Sequence, residues 1–254
     1  MGERDSYPAG TFCWADLGTT EGPDARDFYT GLFGWEAEDL PAGDDGVYTM
    51  FRLDGRDVAA LYEMGADERG QLPAHWSSYV NVENLDAVAE RAVELGATVV
   101  AEPFDVMDSG RMAVLRDPGG AHVHLWQPGR HVGAGRVNDT GCMVWNELAT
   151  ADVAKAVEFY RELLGWEGEI DATGYATVRT AAGINGGIRP LQDGEATAWL
   201  VYFSTGSADD AVKQVRDAGG AIIAGPMDVT VGRIAIVRDP QGAVLALYEG
   251  DVDP

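Results

Sequence analysis

Positive charge is scarce in this chain. Its 18 lysines and arginines stand against 42 aspartates and glutamates, a net charge of −24. A surface of that sign repels phosphate backbones and anionic headgroups, so no nucleic acid and no membrane surface is expected as a partner. Only two of the basic residues are lysines, Lys155 and Lys213, and nothing mechanistic is read from their rarity. Cysteine is as sparse: Cys13 and Cys142 cannot build a disulfide framework and read as reduced, partly buried thiols. No stretch approaches the roughly 18 apolar residues of a membrane span, and the opening MGERDSYPAG lacks the apolar core of a signal peptide. A cytoplasmic protein is expected. A Gly-rich phosphate loop, paired-Cys zinc spacing and a nucleophile elbow are all missing, which leaves nucleotide-dependent and serine-hydrolase readings without support.

What is present is enough apolar side chain for packed cores, 46% hydrophobic against 24% charged, in 254 residues. That length lies where one core usually becomes two. Self-similarity gives the division. WADLGTTEGPDARDFYTGLFGWEAED from Trp14 recurs as WNELATADVAKAVEFYRELLGWEGEI from Trp145. ELGATVVAEPFDV, ending at Val106, recurs as DAGGAIIAGPMDV, ending at Val229; GRMAVLRDPGGAHVHLW from Gly110 recurs as GRIAIVRDPQGAVLALY from Gly232. The expected organisation is domain 1 over residues 8–127, a Gly-rich polar linker over 128–141, and domain 2 over 142–250.

Each copy reads as strand, helix and short strands, twice over. Ala25, Phe28, Tyr29, Leu32 and Phe33 keep helical spacing before Gly34, and Leu85, Val88, Ala89, Ala92 and Leu95 do so before Gly96. Their counterparts run through Val153, Val157, Tyr160 and Leu164, and through Ala211, Val212, Val215 and Ala218. Four helices are therefore predicted. YTMFRL, VAALYE, WSSYVNV, RMAVLR and AHVHLWQ read as strands. The repeated Arg116-Asp117-Pro118 and Arg238-Asp239-Pro240 are assigned to hairpin turns and surface ion pairs of small net value. The expected fold is α+β, four βαβββ modules paired into two open half-barrels.

The ordered and duplicated series FY-x-x-L-x-GW, LGATVV-x-x-P and RDPxG resembles the vicinal-oxygen-chelate superfamily of glyoxalases, bleomycin-resistance proteins and extradiol dioxygenases. It is similar in particular to two-domain actinobacterial glyoxalase-like and hydroxylase-like members. The resemblance covers almost the whole chain and implies tandem glyoxalase-like domains around concave pockets. It also implies a divalent metal held by His, Glu or Gln that chelates two neighbouring substrate oxygens. Carried onto this sequence, the ligand positions fall on Trp14 and Trp145, near Ala60 and Gly186, on Ser77 and Ala198, and on His124 and Ala246. One ordinary donor, His124, survives, so no metal and no other cofactor is expected; a residual metal at His122 and His124, completed by His75 or Asp16, is the alternative.

If these positions face inward, alternation turns Asp16, Glu147, Tyr79, His122, Trp126 and Tyr202 inward with Trp14, Trp145, Ser77 and His124. His124, Asp16 and Glu147 are the candidate catalytic groups; the aromatic residues, Ser77 and His122 are candidate ligand contacts. The pocket containing His124 is expected to be the functional one, closed by the strand of Trp14 or by that of Trp145. Three functions compete. The first is metal-free binding of a small aromatic molecule. The second is an enzyme, a lyase, isomerase, accessory hydroxylase or dioxygenase, and the third an interaction protein with vestigial pockets. The small molecule is the one partner expected, on a monomer or homodimer.

Overall fold

The computed structural model describes residues 2–42 and 46–252. The first copy runs β1 (Phe12–Thr19), α1 (Gly22–Phe33), β2 (Glu36–Ala42), β3 (Gly46–Leu53) and β4 (Arg56–Glu63). A one-turn α2 (Ala66–Arg69) leads to β5 (His75–Asn81), α3 (Leu85–Glu94), β6 (Thr98–Val106), β7 (Gly110–Arg116) and β8 (His122–Pro128). The second copy runs β9 (Met143–Thr150), α4 (Val153–Leu164), β10 (Glu167–Ile170), β11 (Ala176–Thr180) and β12 (Gly183–Pro190). It ends with β13 (Ala198–Ser204), α5 (Ala208–Asp217), β14 (Ala221–Val229), β15 (Gly232–Arg238) and β16 (Val244–Glu249). The four predicted helices are present, and α2 is a fifth that no periodicity announced. Among the described residues no helix is long and apolar enough to cross a membrane.

Each copy forms one eight-stranded sheet, in the orders β2-β3-β4-β1-β5-β8-β7-β6 and β10-β11-β12-β9-β13-β16-β15-β14. Within a module the first and last strands pair in parallel, β1 with β4 and β5 with β8, while the two modules join through antiparallel β1 and β5. The strand of Trp14, not that of Trp145, therefore shares a sheet with the strand of His124, which resolves the alternative left open by the sequence. Twist accumulated over eight strands curves each sheet into an open half-barrel.

Local signals place the helices. The Asn84, Asp152 and Ser207 side chains accept from the backbone N–H three residues on, capping α3, α4 and α5. α1 and α4 end on Gly34 and Gly165 at φ 70° and 71°, a left-handed conformation open to glycine at no steric cost.

The repeated aromatic residues of these helices fasten the copies to each other. Trp76 Nε1 donates to Tyr29 Oη at 2.9 Å, and Tyr29 donates to Asp239 Oδ2, in the other copy, at 2.9 Å. The mirror relay runs from Trp199 to Tyr160 at 3.0 Å and from Tyr160 to Asp117 Oδ2 at 2.9 Å. Trp35 and Trp166 donate across the same boundary to the carbonyls of Gly141 and Gly10. Asp117 and Asp239 are buried, their second oxygens accepting backbone N–H groups of their own turns. The assignment of these turns to surface ion pairs is thus corrected. The hairpin turns stand, but each aspartate is a buried acceptor for a tyrosine contributed by the opposite copy.

Candidate functional site

The concave face of the first half-barrel is built by opposed residues of β1, β3, β4, β5 and β8. Asp16 lies opposite Ala60 on one side and Ser77 on the other; Trp14 lies opposite Tyr79, which in turn lies opposite His124. A bulge between Phe12 and Trp14 separates the faces. It sends Phe12 to the interface, against Trp166 and Trp199, while Trp14 and Asp16 face the concavity.

Asp16 is the centre of this face, 3% exposed. Its Oδ2 accepts from Tyr79 Oη at 2.9 Å and from Tyr48 Oη at 3.1 Å, and Tyr48 accepts from Trp14 Nε1 at 3.0 Å. Its Oδ1 has no protein partner. Burial pushes the Asp16 carboxyl up to about 6, with the Tyr79 and Tyr48 bonds and the nearby His75 pulling the other way. Ser77 is close enough to favour the ionised form, yet its Oγ also lacks a partner. The His124 ring lies tilted against Tyr79, centroids 4.8 Å apart and planes at 35°; burial lowers its pKa to about 3, so the ring is neutral at neutral pH.

The segment after β8 closes one end. Ala134 N–H donates to Cys13 O at 2.7 Å, and Trp126 Nε1 donates to His131 O at 2.9 Å. The His131 ring meets Trp14 edge-on at 4.6 Å. Buried atoms without a protein partner include His124 Nδ1, His131 Nε2 and Asn81 Oδ1, and Asn81 lies opposite Trp126. His122 is exposed beyond His124 on the same strand.

The second half-barrel repeats the plan and satisfies it internally. Glu147 replaces Asp16, accepting from Tyr202 Oη at 2.8 Å and Tyr175 Oη at 3.1 Å. Trp145 neighbours Tyr175 as Trp14 does Tyr48. The difference is Arg189, whose Nε donates to Glu147 Oε2 at 2.8 Å and whose other nitrogens grip Glu195 at 2.7 and 2.5 Å. Registers correct two assignments made by spacing: Leu200, not Ala198, is the counterpart of Ser77, and Gly187, not Gly186, that of Ala60.

The structure thus brings Trp14, Asp16, Ser77, Tyr79, His124 and Trp126 together, with His122 at their edge, and gathers Trp145, Glu147 and Tyr202 in a separate cluster. Sequence reasoning missed Tyr48, Tyr62 and His131 in the first and Tyr175, Arg189 and Glu195 in the second. A faint signal existed for two of them, the shared tyrosine-to-arginine spacing of YTMFR and YATVR.

A divalent ion does not fit these residues. At the four ligand places the first half-barrel offers Trp14, Ala60, Ser77 and His124, and the second offers Trp145, Gly187, Leu200 and Ala246. The nearby carboxylates, Asp16 and Glu147, stand outside the four ligand places, and each is bonded by tyrosines through at least one oxygen. No three His, Cys, Asp or Glu among the described residues stand close enough to share an ion. Surface cavities of about 420 and 350 Å³ lie elsewhere, beside Phe33 and Ser204 and beside Phe28 and Pro240. Neither contains a buried polar atom left without a partner, apart from Gln241 Oε1 beside the second.

Comparison with known proteins agrees with this architecture. The model of the Glyoxalase/Bleomycin resistance protein/Dioxygenase superfamily matches residues 13–125 and again 142–247. A protein of Mycobacterium tuberculosis (strain CDC 1551 / Oshkosh) named "Putative glyoxylase CFP32" is 40% identical over 256 residues, covering 98% of each chain. The anthracycline biosynthesis protein DauV of Streptomyces sp. (strain C5) is 34% identical, covering 96% of this chain and 94% of its own. Among solved structures, the Mn(II)-bound glyoxalase from Novosphingobium aromaticivorans superposes at a TM-score of 0.64 and 16% identity, over 100% of this chain and 86% of that one. Homoprotocatechuate 2,3-dioxygenase from Brevibacterium fuscum does so at 0.66 and 17%, over 97% and 84%. At such identities the structural likeness speaks for the fold alone. The duplicated motif series, the two eight-stranded half-barrels and the double match together make this chain a member of the Glyoxalase/Bleomycin resistance protein/Dioxygenase superfamily.

Proposed function

We propose that the first half-barrel binds a small, planar aromatic molecule without a metal, with Asp16, Ser77 and His124 as its polar anchors. The observation that carries this reading is the distribution of unmet hydrogen-bonding capacity. Five of the seven buried side-chain atoms without a partner among the described residues belong to this half-barrel and the segment that closes it: Asp16 Oδ1, Ser77 Oγ, Asn81 Oδ1, His124 Nδ1 and His131 Nε2. Each unmet group costs on the order of 1–3 kcal/mol, so such a concentration marks a place where something outside the chain completes the bonding. The rings of Trp14, Tyr79 and Trp126 offer the flat apolar walls that suit a planar ligand. The name of the relative DauV, an anthracycline biosynthesis protein, agrees with an aromatic ligand class.

Glu147, held by Arg189, belongs in this reading to the internal packing of the second half-barrel, and Trp145 and Tyr202 serve it there. A second reading has one observation of its own. A carboxyl pushed up to about 6 exchanges its proton near neutral pH, which is what a general acid or base requires. Asp16 would then carry a proton for a metal-free lyase, isomerase or accessory hydroxylase reaction, with His124 orienting the substrate. Within the same proposal the protein is a cytoplasmic monomer or homodimer, and its charge of −24 supports the absence of nucleic-acid partners.

The test is calorimetric binding of naphthalene probes bearing a hydroxyl, an amidine or a carboxylate to EDTA-treated protein, with and without added Mn(II) or Ni(II). One site per chain is expected, insensitive to metal and weakened about tenfold or more by His124→Ala, a loss of ~1.4 kcal/mol. Binding that appears only with stoichiometric metal, or that ignores His124→Ala, would contradict it.

A further inference from the structure

We propose that the first half-barrel selects ligands carrying a cationic donor, an amidinium or protonated amine on the aromatic frame, that meets the free Oδ1 of Asp16. This deepens the reading above and rests on it.

The second half-barrel supplies the template. There the carboxylate of Glu147 is met by the Arg189 guanidinium, which also binds Glu195 in the loop before β13, so that carboxylate, cation and carboxylate follow in a row. In the first half-barrel, among the described residues, a tyrosine stands between the two carboxylates in place of the arginine. Tyr62, opposite Gly18, stands where Arg189 stands opposite Ala149. Its hydroxyl donates to Glu68 Oε1 on α2 at 2.7 Å, and Asp16 Oδ1 is left without a partner. The tryptophan and the two tyrosines around the acid recur in both copies; the acid is Asp16 in one and Glu147 in the other, and an arginine bonds it in the second alone.

Among the described residues around Asp16, His75 alone draws on it by charge, and no arginine or lysine bonds it. From β3 comes Tyr48, from β4 Tyr62, and from β5 His75, Ser77 and Tyr79, with Glu68 behind Tyr62 and the neutral His124 ring beyond Tyr79. Arg69, the neighbouring cation, is committed to Glu63 and the Met64 carbonyl. A buried carboxylate without a counter-charge is costly, and a bound cation relieves that cost as Arg189 does for Glu147. Tyr62 and His75 close over Gly18, two residues along β1 from Asp16; a Cβ there would stand 2.9 Å from Tyr62 Oη and 3.1 Å from His75 Cε1. The net charge of −24 concentrates cations around the molecule and favours their encounter with this face.

The experiment compares 2-naphthamidine, 2-naphthol and 2-naphthoate by calorimetry on the full chain. The amidine is expected to bind at least about tenfold tighter than the naphthol at about pH 7.5, with no binding of the naphthoate. As pH falls through the Asp16 value toward about 5, the carboxylate takes up its proton and amidine affinity drops about tenfold. Tyr62→Arg installs the second copy's cation, and amidine binding is expected to vanish while the melting temperature rises. Asp16→Asn, which keeps the shape, is expected to abolish the amidine preference and the pH dependence together, and it decides the matter should Tyr62→Arg not fold. A naphthol that binds as well as the amidine, or an amidine affinity flat with pH, overturns the cation while leaving the aromatic site standing. Failure of all three probes overturns both.

Discussion

Asp16 binds its proton more tightly in the folded chain than in the unfolded one, about 6 against an ordinary 3.8. A raised carboxyl contributes stability that is complete below the unfolded value and is lost as pH rises through the folded value. At neutral pH the buried, only partly compensated carboxylate therefore costs the fold up to about 3 kcal/mol. Asp16→Asn is expected to raise the melting temperature at about pH 7.5 by several degrees, with the gain shrinking toward zero near pH 4. Thermal scans of both proteins across that range check it. Arg189 is the opposite case. Its side chain is 14% exposed and that of Glu147 10% exposed, so Arg189→Leu strands a nearly buried carboxylate. A loss of roughly 3 kcal/mol is expected in urea unfolding, partly recovered by Glu147→Gln in the same chain. One carboxylate burdens the fold and its counterpart supports it, and that difference is the chemical distinction between the two half-barrels.

At the scale of elements, the conserved-looking repeat turns out to describe the interface between copies more than the site. Tyr29 and Tyr160 each pass a hydrogen bond from a tryptophan of their own copy to an aspartate of the other. Tyr29→Phe is expected to cost about 1–3 kcal/mol because the buried Asp239 carboxylate loses the hydroxyl that donates to it, and Tyr160→Phe to cost a similar amount through Asp117. Urea titrations of the single and double variants measure both, and near-additivity is expected of two separate relays. The helices, the long strands and the duplication were legible because periodicity and capping are local. The relays were not, since Tyr29 and Asp239 stand 210 residues apart and nothing in a turn such as Arg-Asp-Pro reports what packs upon it. Within the site, the inward alternation of β1 and β5 was readable. Arg189 was not, because the glycine-rich β12 hides its correspondence with β4, and His131 lay in a stretch read as linker.

The molecule as a whole depends on both copies, since α1 of the first packs on α5 and the aspartate turn of the second, and α4 packs reciprocally. Phe28, Tyr29 and Trp35 are at most 4% exposed in the full chain. A fragment ending at residue 128 would lose the second copy's share of that cover, and it is expected to lack a cooperative thermal transition while the two fragments mixed together regain one. Calorimetry on each fragment and on the mixture checks it. Duplication with unequal divergence then accounts for the architecture. The second half-barrel completes its own electrostatics and steadies the pair, while the first leaves one carboxyl oxygen, a hydroxyl and one nitrogen on each of two imidazoles without partners on an aromatic-walled face. The most direct test of that asymmetry is an NMR pH titration of carbon-13-labelled aspartate side chains, with Asp16 assigned by its absence from Asp16→Asn. A titration near 6 is predicted for the ligand-free protein. A titration at or below the ordinary aspartate value would mean that Asp16 is already compensated, and the case for the first half-barrel as the site would fail.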